Sequence, residues 1–266
     1  MKDREEGPAA TAQAPLLEAR GIELSYGRVR ALRGADFAVA AGEVVALVGD
    51  NGAGKSTLVK VLSGTLQPDG GEIRLDGSPV MIRSPHEARD LGIETVYQDL
   101  AVAPDLDPAA NLFLGREETR GGPLGALGFL DNRAMRRRAD EAFESLGVGL
   151  QDTSASVAYL SGGQRQGVAV SRAVTWASRV IFMDEPTAAL GVVQSRNVLD
   201  LIRRVSSSGI AVVLISHNMP EVFEVADRIE VLRLGERVAR LTASETSMEE
   251  VVAAMTGALE QDQEDA

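Results

Sequence analysis

The sequence predicts an α/β fold in which the strands of a parallel sheet alternate with helices. The continuous apolar run 44–48 indicates a buried strand, and apolar side chains recur at helical spacing over 58–62. A glycine-rich turn joins the two, and this order of strand, turn and helix is typical of α/β units. A second apolar run, 180–183, ends in two acidic residues, as expected where the carboxyl end of a parallel strand meets a ligand.

Length and composition limit the class of protein. The 266 residues suffice for one large domain or two modest ones, and 44% of them are hydrophobic, enough for a core. There is no uninterrupted run of about 18 apolar residues and no signal-peptide pattern at the start, so we expect neither a membrane span nor export. The chain has no cysteine, which excludes disulfides and fits a cytosolic location. A net charge of −12 argues against nucleic acid as the main partner.

The turn after the first apolar run has the composition of a phosphate-binding loop. Gly49, Gly52 and Gly54 permit backbone conformations that a Cβ would obstruct, so successive N–H groups can point at a phosphate. The following helix adds the partial positive charge of its N-terminus. Lys55 can reach the β- and γ-phosphates, and the Ser56 hydroxyl can bind Mg²⁺. The spacing G-x-x-x-x-G-K-S in this context predicts a nucleotide site.

The stretch before the loop, 16–39, is predicted to form short antiparallel strands, because apolar and polar residues alternate there. The residues before it, 1–15, are expected to form a disordered tail. Tyr26 lies in a turn within the stretch, where its ring could stack on adenine or be half-buried in the sheet. Spacing alone leaves both interpretations of Tyr26 open.

Several elements are predicted between the first helix and Gln98. Gly64 is placed to end the first helix, and residues 70–77 indicate the edge of a hairpin. A short helix is predicted over 84–88, where a serine and a proline begin it. The apolar, β-prone segment 93–97 indicates another strand, which ends at Gln98.

The pattern becomes helical from 109 to about 176, interrupted by a loose loop over 120–125. The predicted helix 132–146 carries four arginines, which we interpret as a solvated face rather than a binding patch. Gly162 and Gly163 begin a helix behind a serine that can cap it, which gives a second N-terminus suited to anions. Taken alone, this junction is equally an ordinary connection between a loop and a helix.

Two carboxylates follow the second apolar run. Asp184 is suited to bind Mg²⁺, usually through a water, and Glu185 could accept the proton of an attacking water. The alternative is a polar strand end before a proline turn, and the phosphate loop upstream favours function. His217 ends a predicted strand over 210–215, where it could bind a γ-phosphate, orient water or be an ordinary boundary histidine. We assign His86, on a surface helix, a structural role.

The rest of the chain continues the alternation of helices and strands. A helix is predicted over 192–206, strands over 229–233 and 238–241, and a last helix over 248–255. The acidic residues 260–266 are expected to form a second disordered tail.

With these residues in view, the chain resembles the ATP-binding subunit of ABC transporters over about 16–259. Residues 49–56 are similar to the Walker A loop and 180–184 to Walker B, while 160–164 match the LSGGQ signature letter for letter. The resemblance implies a P-loop NTPase (RecA-like) core with an antiparallel β subdomain and an α-helical subdomain inserted at about 104–176. It also implies ATP and Mg²⁺ as cofactors.

The resemblance further implies a role for each candidate site residue. Gln98 becomes the glutamine that contacts Mg²⁺ or the attacking water, Glu185 the catalytic base and His217 the switch histidine. Ser56, Gln98 and Asp184 become the Mg²⁺ ligands. The residues implied to bind ATP are Tyr26, Gly49, Asn51, Gly52, Gly54, Lys55, Ser56, Thr57, Ser161, Gly162, Gly163 and Gln164.

Three stretches, 96–100, 184–191 and 217–229, look most like importers of simple sugars such as ribose, xylose and fructose. The resemblance therefore implies an ATPase that energises import of a monosaccharide through a membrane permease, whose coupling helices the helical insert would receive. It implies ATP sandwiched in an ATP-dependent homodimer at the cytoplasmic face of the plasma (inner) membrane. A periplasmic or extracellular sugar-binding protein would be an indirect partner.

Other functions of the same fold are weighed against import. Soluble ABC-type ATPases that act on nucleic acid or ribosomes typically pair two ATPase units or carry a long coiled coil, and neither occurs here. The acidic balance also disfavours them. Glu185 and His217 argue against a regulatory switch that does not hydrolyse nucleotide, and the lack of a fused membrane span argues against an exporter.

Three features depart from the family pattern. Sugar importers of this kind often carry two ATPase halves in one chain, and this chain has one. Gly191 stands where many members have an aspartate at the end of the D-loop, which puts signalling across the dimer through that position in doubt. Gly167 and Ser171 are weaker helix formers than expected in the helix after the signature.

Overall fold

The structure, a computed structural model, describes residues 14–150, 153–188 and 190–258. Its strands are β1 (Pro15–Tyr26), β2 (Val29–Ala40), β3 (Val44–Val48), β4 (Gly70–Leu75), β5 (Ser78–Val80), β6 (Ile93–Val96), β7 (Val180–Asp184), β8 (Ala211–Ile215), β9 (Arg228–Arg233) and β10 (Glu236–Thr242). Its helices are α1 (Lys55–Leu62), α2 (Pro85–Asp90), α3 (Pro108–Leu112), α4 (Pro123–Ala126), α5 (Asn132–Ser145), α6 (Gly162–Trp176), α7 (Val192–Ser207), α8 (Met219–Val225) and α9 (Met248–Thr256).

The two predicted tails fall almost wholly outside the described residues. The acidic tail 260–266 lies outside them entirely, and so do residues 1–13 of the tail predicted over 1–15. Pro15, the last residue of that predicted tail, is the first residue of β1.

A six-stranded sheet with the order β10-β9-β3-β8-β7-β6 forms the centre of the molecule. The neighbours from β9 to β6 pair in parallel, and only β10 is antiparallel to its neighbour. Every residue of β3 is buried, as expected for a central strand covered on both faces. Because β3, β8, β7 and β6 are adjacent, their carboxyl ends meet at one edge of the sheet. The predicted α/β fold with a parallel core is confirmed.

The second sheet is antiparallel, with the order β2-β1-β4-β5. It confirms the strands predicted before the phosphate loop, but β1 and β2 have 12 residues each and are not short. Their pairing extends from Pro15 opposite Ala40 to Tyr26 opposite Val29, with several shifts of register that bend and twist such long strands. Both sheets and α1 contribute to one hydrophobic core, whose members include Leu17, Phe37, Leu58, Phe182 and Val213.

Between β6 and β7 the chain is helical, as predicted, with a core of its own. This core includes Leu112, Phe113, Met135, Phe143 and Val168. The predicted loose loop 120–125 differs in one respect, because Pro123 begins the one-turn helix α4 there. Helix α8 was not predicted. It buries Met219, Val222 and Val225 every third residue, but its seven residues are too few for that spacing to stand out in the sequence.

The helical region explains the arginines and the weak helix formers. All four arginines of α5 are exposed, which confirms the predicted solvated face. Helix α6 accommodates Gly167 because a Cβ there would lie only 2.7 Å from Cγ1 of Val148, so glycine lets the preceding turn approach the helix. Ser171 is fully buried in the same helix, and packing rather than intrinsic propensity decides its conformation.

Candidate functional site

Two glycines shape the loop between β3 and α1 in different ways. Gly49 has a φ of 149°, and a Cβ there would overlap the carbonyl oxygen of Leu232 in β9. Gly52 has a φ of 85°, and a Cβ there would meet no atom within 4 Å. Glycine at 49 therefore lets the loop lie against the sheet, whereas glycine at 52 faces open space.

Lys55, the first residue of α1, donates two hydrogen bonds from its ammonium group back to the loop. Its Nζ lies 2.6 Å from the carbonyl oxygen of Gly49 and 2.9 Å from that of Asp50. Burial lowers the pKa of Lys55, and the carboxylates of Glu185 and Asp184 act against that shift. A partly buried positive charge is thus held at the N-terminus of a helix, an arrangement suited to phosphate.

Asp184, the last residue of β7, lies beside the loop and beside a second carboxyl group. Burial raises the pKa of Asp184, and the charge of Glu185 raises it further, while a hydrogen bond from the Ser56 hydroxyl and the charge of Lys55 lower it. Two carboxylates and one lysine therefore share a partly desolvated space. A bound cation would stabilise the ionised form of Asp184.

Ser56, Gln98 and Asp184 line one groove of about 770 Å³. They offer a hydroxyl, an amide oxygen and a carboxylate. Protein sites usually hold Mg²⁺ by one or two carboxylates together with water and substrate phosphates, and this donor set fits such an ion. Within the described residues no three His, Cys, Asp or Glu side chains cluster as a metal cage, so the phosphates of a bound nucleotide would have to complete the coordination.

Glu185 and His217 are joined by a hydrogen bond at the same edge of the sheet. His217 Nδ1 lies 2.8 Å from Glu185 Oε1, and the carboxylate is mostly buried whereas the imidazole is exposed. Glu185 has a φ of 51°, and its N–H donates to the carbonyl oxygen of Ile215 at 2.9 Å. A non-glycine residue in this conformation is strained and typical of functional sites. The neighbouring ends of β7 and β8 thus place the predicted acid and histidine together.

Gln98 follows β6 in a tight turn. The turn is closed by a hydrogen bond of 2.9 Å from the Leu100 N–H to the carbonyl oxygen of Tyr97. The Tyr97 hydroxyl lies 3.2 Å from Oγ1 of Thr65, beyond the end of α1, which ties the turn to the helix of the phosphate loop. Gln98 itself is exposed in the groove, where a nucleotide or ion could reach it.

The LSGGQ segment caps α6 and borders a cavity of its own. Ser161 Oγ accepts from the Gln164 N–H at 3.3 Å, and Gln164 Oε1 accepts from the Ser161 N–H at 2.9 Å, which is a capping box. The predicted serine cap is confirmed. Among the described residues that line the groove of Asp184, none belongs to this segment; Ser161, Gly163 and Gln164 border a separate cavity of about 390 Å³.

Tyr26 stands at the turn between β1 and β2, with half of its surface exposed. The start of β2 lies beside the phosphate loop, because a Cβ on Gly54 would lie 2.9 Å from the carbonyl oxygen of Ala31. The ring therefore has a free face for stacking. Of the other predicted ATP-binding residues, Asn51 is exposed in the loop and Thr57 is in the first turn of α1.

Two contacts near the site were not predicted. Thr187 Oγ1 donates to Oε2 of Glu221 at 2.5 Å, which joins the segment after β7 to α8. Arg172 of α6 donates to the carbonyl oxygens of Leu100 and Ala101. These pairs are 34 and 71 or 72 residues apart, so no local pattern indicates them. An arginine inside a mostly buried stretch of helix was the one available signal for the second contact.

A parallel sheet whose edge carries this loop, the acidic pair and a histidine defines a P-loop nucleotide-binding protein. Comparison with known sequences is more specific. The family model described as ABC transporter matches residues 32–188. The fructose import ATP-binding protein FrcA of Rhizobium meliloti is 54% identical over 94% of this chain and 96% of that protein. The xylose/arabinose import ATP-binding protein XylG of Sulfolobus acidocaldarius is 47% identical, over 91% of this chain and 94% of that protein.

Solved structures agree. A nucleotide-free ATP-binding cassette from an ABC transporter superposes with a TM-score of 0.76 at 25% identity, covering 91% of this chain and 96% of that one. The ADP conformation of another such cassette gives a TM-score of 0.75 at 25% identity, over 92% and 96%. The chain belongs to the ABC transporter family, as an ATP-binding subunit whose ATPase activity is coupled to transport.

Membership of this family also indicates the ligands, partners and location of such subunits. Subunits of this kind bind ATP and ADP and work with membrane permeases as peripheral proteins. No helix in the described part of the chain is long and apolar enough to cross a bilayer. A single ATPase unit is not unusual here, since the FrcA and XylG relatives are matched over nearly their full length. The ribose import ATP-binding protein RbsA 1 of Rubrobacter xylanophilus, 46% identical over 91% of this chain, is matched over only 47% of its own length.

Proposed function

We propose that this chain is the ATPase that energises import of a monosaccharide through a membrane permease. The names of three relatives, which refer to fructose, to xylose and arabinose, and to ribose, support the solute class. One observation carries the chemistry: Lys55, Asp184 and the hydrogen-bonded pair of Glu185 and His217 meet at one edge of the sheet.

In this proposal the loop binds the phosphates of ATP. N–H groups of the loop and the ammonium of Lys55 face the β- and γ-phosphates. These phosphates replace the Gly49 and Asp50 carbonyls as the partners of Lys55 Nζ. The exposed ring of Tyr26 stacks on adenine. Asn51 is exposed in the same loop, where it can bind the nucleotide.

Hydrolysis then uses the acid and histidine pair. Glu185 accepts a proton from a water as the water oxygen bonds to the γ-phosphorus and the bond to the β,γ-bridging oxygen breaks. ADP and inorganic phosphate are the products. His217 orients the carboxylate through its Nδ1–H and faces the γ-phosphate with its other nitrogen. The strained backbone of Glu185 fixes the carboxylate in advance.

Mg²⁺ supplies positive charge to the β- and γ-phosphates when it is bound. Ser56 and Asp184 would hold it from the loop and from β7, and Gln98 from the turn after β6. The hydrogen bond from Ser56 to Asp184 supports this assignment, because it places a hydroxyl oxygen and a carboxylate oxygen side by side.

A second copy completes the site. Ser161, Gly163 and Gln164 border a cavity other than the groove of Asp184. Their helix N-terminus can instead stabilise the γ-phosphate of ATP bound to the other subunit. ATP then holds a homodimer together, and hydrolysis releases it.

The remaining partners follow from this arrangement. The permease would contact the helical region near Gln98, on the cytoplasmic face of the membrane, and a sugar-binding protein on the opposite side would deliver the solute. The net charge of −12 supports a role without nucleic acid. The predicted extent of the ATPase domain, 16–259, and of its helical insert, about 104–176, belongs to the same proposal.

The first test is the molar mass of Glu185→Gln by size exclusion with light scattering, with and without ATP and Mg²⁺. We expect a monomer without nucleotide and a dimer with it, because binding is retained and turnover stops. A mass that does not respond to ATP would contradict the homodimer. Lys55→Ala, which removes the phosphate contact, should stay monomeric under both conditions.

The second test is transport. The chain is reconstituted in vesicles with its permease and sugar-binding protein, and uptake of labelled fructose, xylose and ribose is measured with ATP on the side of this subunit. We expect uptake of at least one sugar, abolished by Glu185→Gln. ATP hydrolysis that none of these sugars stimulates would contradict a monosaccharide as the solute.

A further inference from the structure

Two residues directly after the Gln98 turn have an unusual backbone. Leu100 has a φ of 61° and Ala101 a φ of 45°, so two successive residues with side chains lie in the left-handed region. Each is disfavoured there, because its Cβ approaches the following carbonyl oxygen. Such a pair persists only where the surrounding structure fixes it. The contact that fixes it here comes from a distant helix.

Arg172, on α6, holds both carbonyl groups. Its Nη1 lies 2.8 Å from the carbonyl oxygen of Ala101 and its Nη2 3.3 Å from that of Leu100. The planar guanidinium presents its donors as a fork, which matches two neighbouring acceptors in one orientation. The two carbonyl oxygens accept from the same fork only while Leu100 and Ala101 keep this turn.

Because Arg172 is charged and partly buried, loss of these two hydrogen bonds would be unfavourable. Burial lowers the pKa of Arg172, and the charge of Arg89 on α2 lowers it further, while Glu94 on β6 opposes both. An arginine nevertheless stays protonated in a protein. A partly buried guanidinium without hydrogen-bond acceptors would be strongly unfavourable. The bonds to the Leu100 and Ala101 carbonyls therefore stabilise the charge of Arg172 and hold both carbonyls in place.

The end of α6 is itself firmly anchored. Trp176, one turn after Arg172, donates from Nε1 to the carbonyl oxygen of Leu112 at 2.8 Å, and its ring meets Phe113 edge-on at 5.4 Å. Arg116 lies 4.9 Å above the same ring. The C-terminal part of α6 therefore contacts the chain at the Gln98 turn and again at the end of α3.

We propose that Arg172 is a positioning residue for Gln98: its fork on the Leu100 and Ala101 carbonyls holds the left-handed turn that keeps Gln98 in the groove with Ser56 and Asp184. This inference rests on the proposed function only for its effect on turnover. The signature segment begins the same helix at its other end, so a shift of α6 displaces the Gln98 turn directly.

Hydrogen exchange in the nucleotide-free, full-length chain tests the contact without any ATP chemistry. In Arg172→Gln we expect peptides that cover 97–103 to exchange about tenfold faster, the factor that corresponds to loss of one hydrogen bond to a charged group. Arg204→Gln is the control, since Arg204 of α7 also donates to a backbone carbonyl oxygen, that of Leu146, which is not part of the Gln98 turn. Unchanged exchange at 97–103 in Arg172→Gln would overturn the proposal.

Glycine rescue tests the role of the left-handed turn. Arg172→Gln should lower kcat about tenfold and raise the Mg²⁺ concentration for half-maximal turnover, while the KM for ATP stays unchanged. Adding Leu100→Gly and Ala101→Gly should restore most of the kcat, because glycine adopts positive φ without support. A merely structural role for Arg172 predicts no rescue, and a triple variant as slow as Arg172→Gln would overturn the proposal.

Trp176 is the only tryptophan of the chain, so its fluorescence reports whether α6 still packs on α3. If Arg172→Gln changes this fluorescence, Arg172→Lys is used as the test variant instead. Its ammonium cannot bind both carbonyls as a planar fork. The same exchange and rescue results are then required of Arg172→Lys. Normal turnover in Glu185→Gln would contradict the proposed function alone, because the exchange measurement stands without it.

Discussion

His217 Nδ1 and Glu185 Oε1 lie 2.8 Å apart, although their residues are 32 positions apart in the chain. Because an ionised carboxylate only accepts, this contact assigns the hydrogen to Nδ1 and leaves the other ring nitrogen for a ligand. The pair exists because β7 and β8 are neighbours and both end at the same edge of the sheet. Its chemistry can be tested against a second histidine pair in the same chain.

We expect His217→Ala to lower kcat about 10²-fold, the usual contribution of a group that positions a proton acceptor, with the affinity for ATP nearly unchanged. The matched control is His86→Ala. His86 Nδ1 lies 3.0 Å from Asp90 Oδ2 in an exposed pair on α2, consistent with the structural role assigned from the sequence. Steady-state kinetics of both variants decide the point, and an equal loss in both would remove His217 from the mechanism.

The two loop glycines predict opposite defects. Gly49→Ala should destabilise the fold by about 2–4 kcal/mol, because its Cβ would overlap the Leu232 carbonyl in a strained conformation. Gly52→Ala should lose only about 1 kcal/mol, since its Cβ meets open space, yet should weaken ATP binding by disturbing the array of loop N–H groups. Urea unfolding and an ATP titration of each variant separate the two effects. Normal ATP affinity in Gly52→Ala would contradict the phosphate role of the loop.

Asp184 predicts a dependence of stability on pH. Its pKa is raised in the folded chain by burial and by Glu185, so stability is greater at low pH and falls as the pH rises through the folded pKa. Without nucleotide or Mg²⁺, Asp184→Asn should therefore unfold at a higher temperature than the wild type at neutral pH, and the difference should shrink in acid. Asp140→Asn, at an exposed position of α5, should show no such convergence. If the wild type instead becomes more stable than Asp184→Asn as the pH rises from acid to neutral, the raised pKa of Asp184 is contradicted.

Gly191 begins α7 as an N-cap without a side chain. Gly191→Asp should stabilise the protein by about 0.5 kcal/mol, because a carboxylate can accept from the first turn and interacts favourably with the helix dipole. The added Cβ would meet the end of the flexible Gln194 side chain, which can move. Gly191→Ala should be slightly less stable than the wild type. Equal urea midpoints for the Asp and Ala variants would show that position 191 does not act as a cap.

Local chemistry was predictable from the order of residues. The loop at 49–57 and the box of Ser161 and Gln164 are made by neighbours in the chain, so their spacing alone specifies them. The same holds for continuous apolar runs such as β3, which only a strand covered on both faces can bury. Helix α8 and the full length of β1 escaped prediction because short or irregular elements leave little periodicity.

Proximity was decided by the tertiary structure. The sheet places β6, β7 and β8 side by side, and for that reason Gln98, Asp184 and His217 lie at one edge. No local sequence pattern predicts this order of strands. Arg172 reaches the Ala101 carbonyl across 71 residues because α6 packs beside β6. Residue types and their immediate neighbours thus specify which groups can bind phosphate or move a proton. The packing of the sheet, driven by burial of its apolar strands, specifies which of these groups meet.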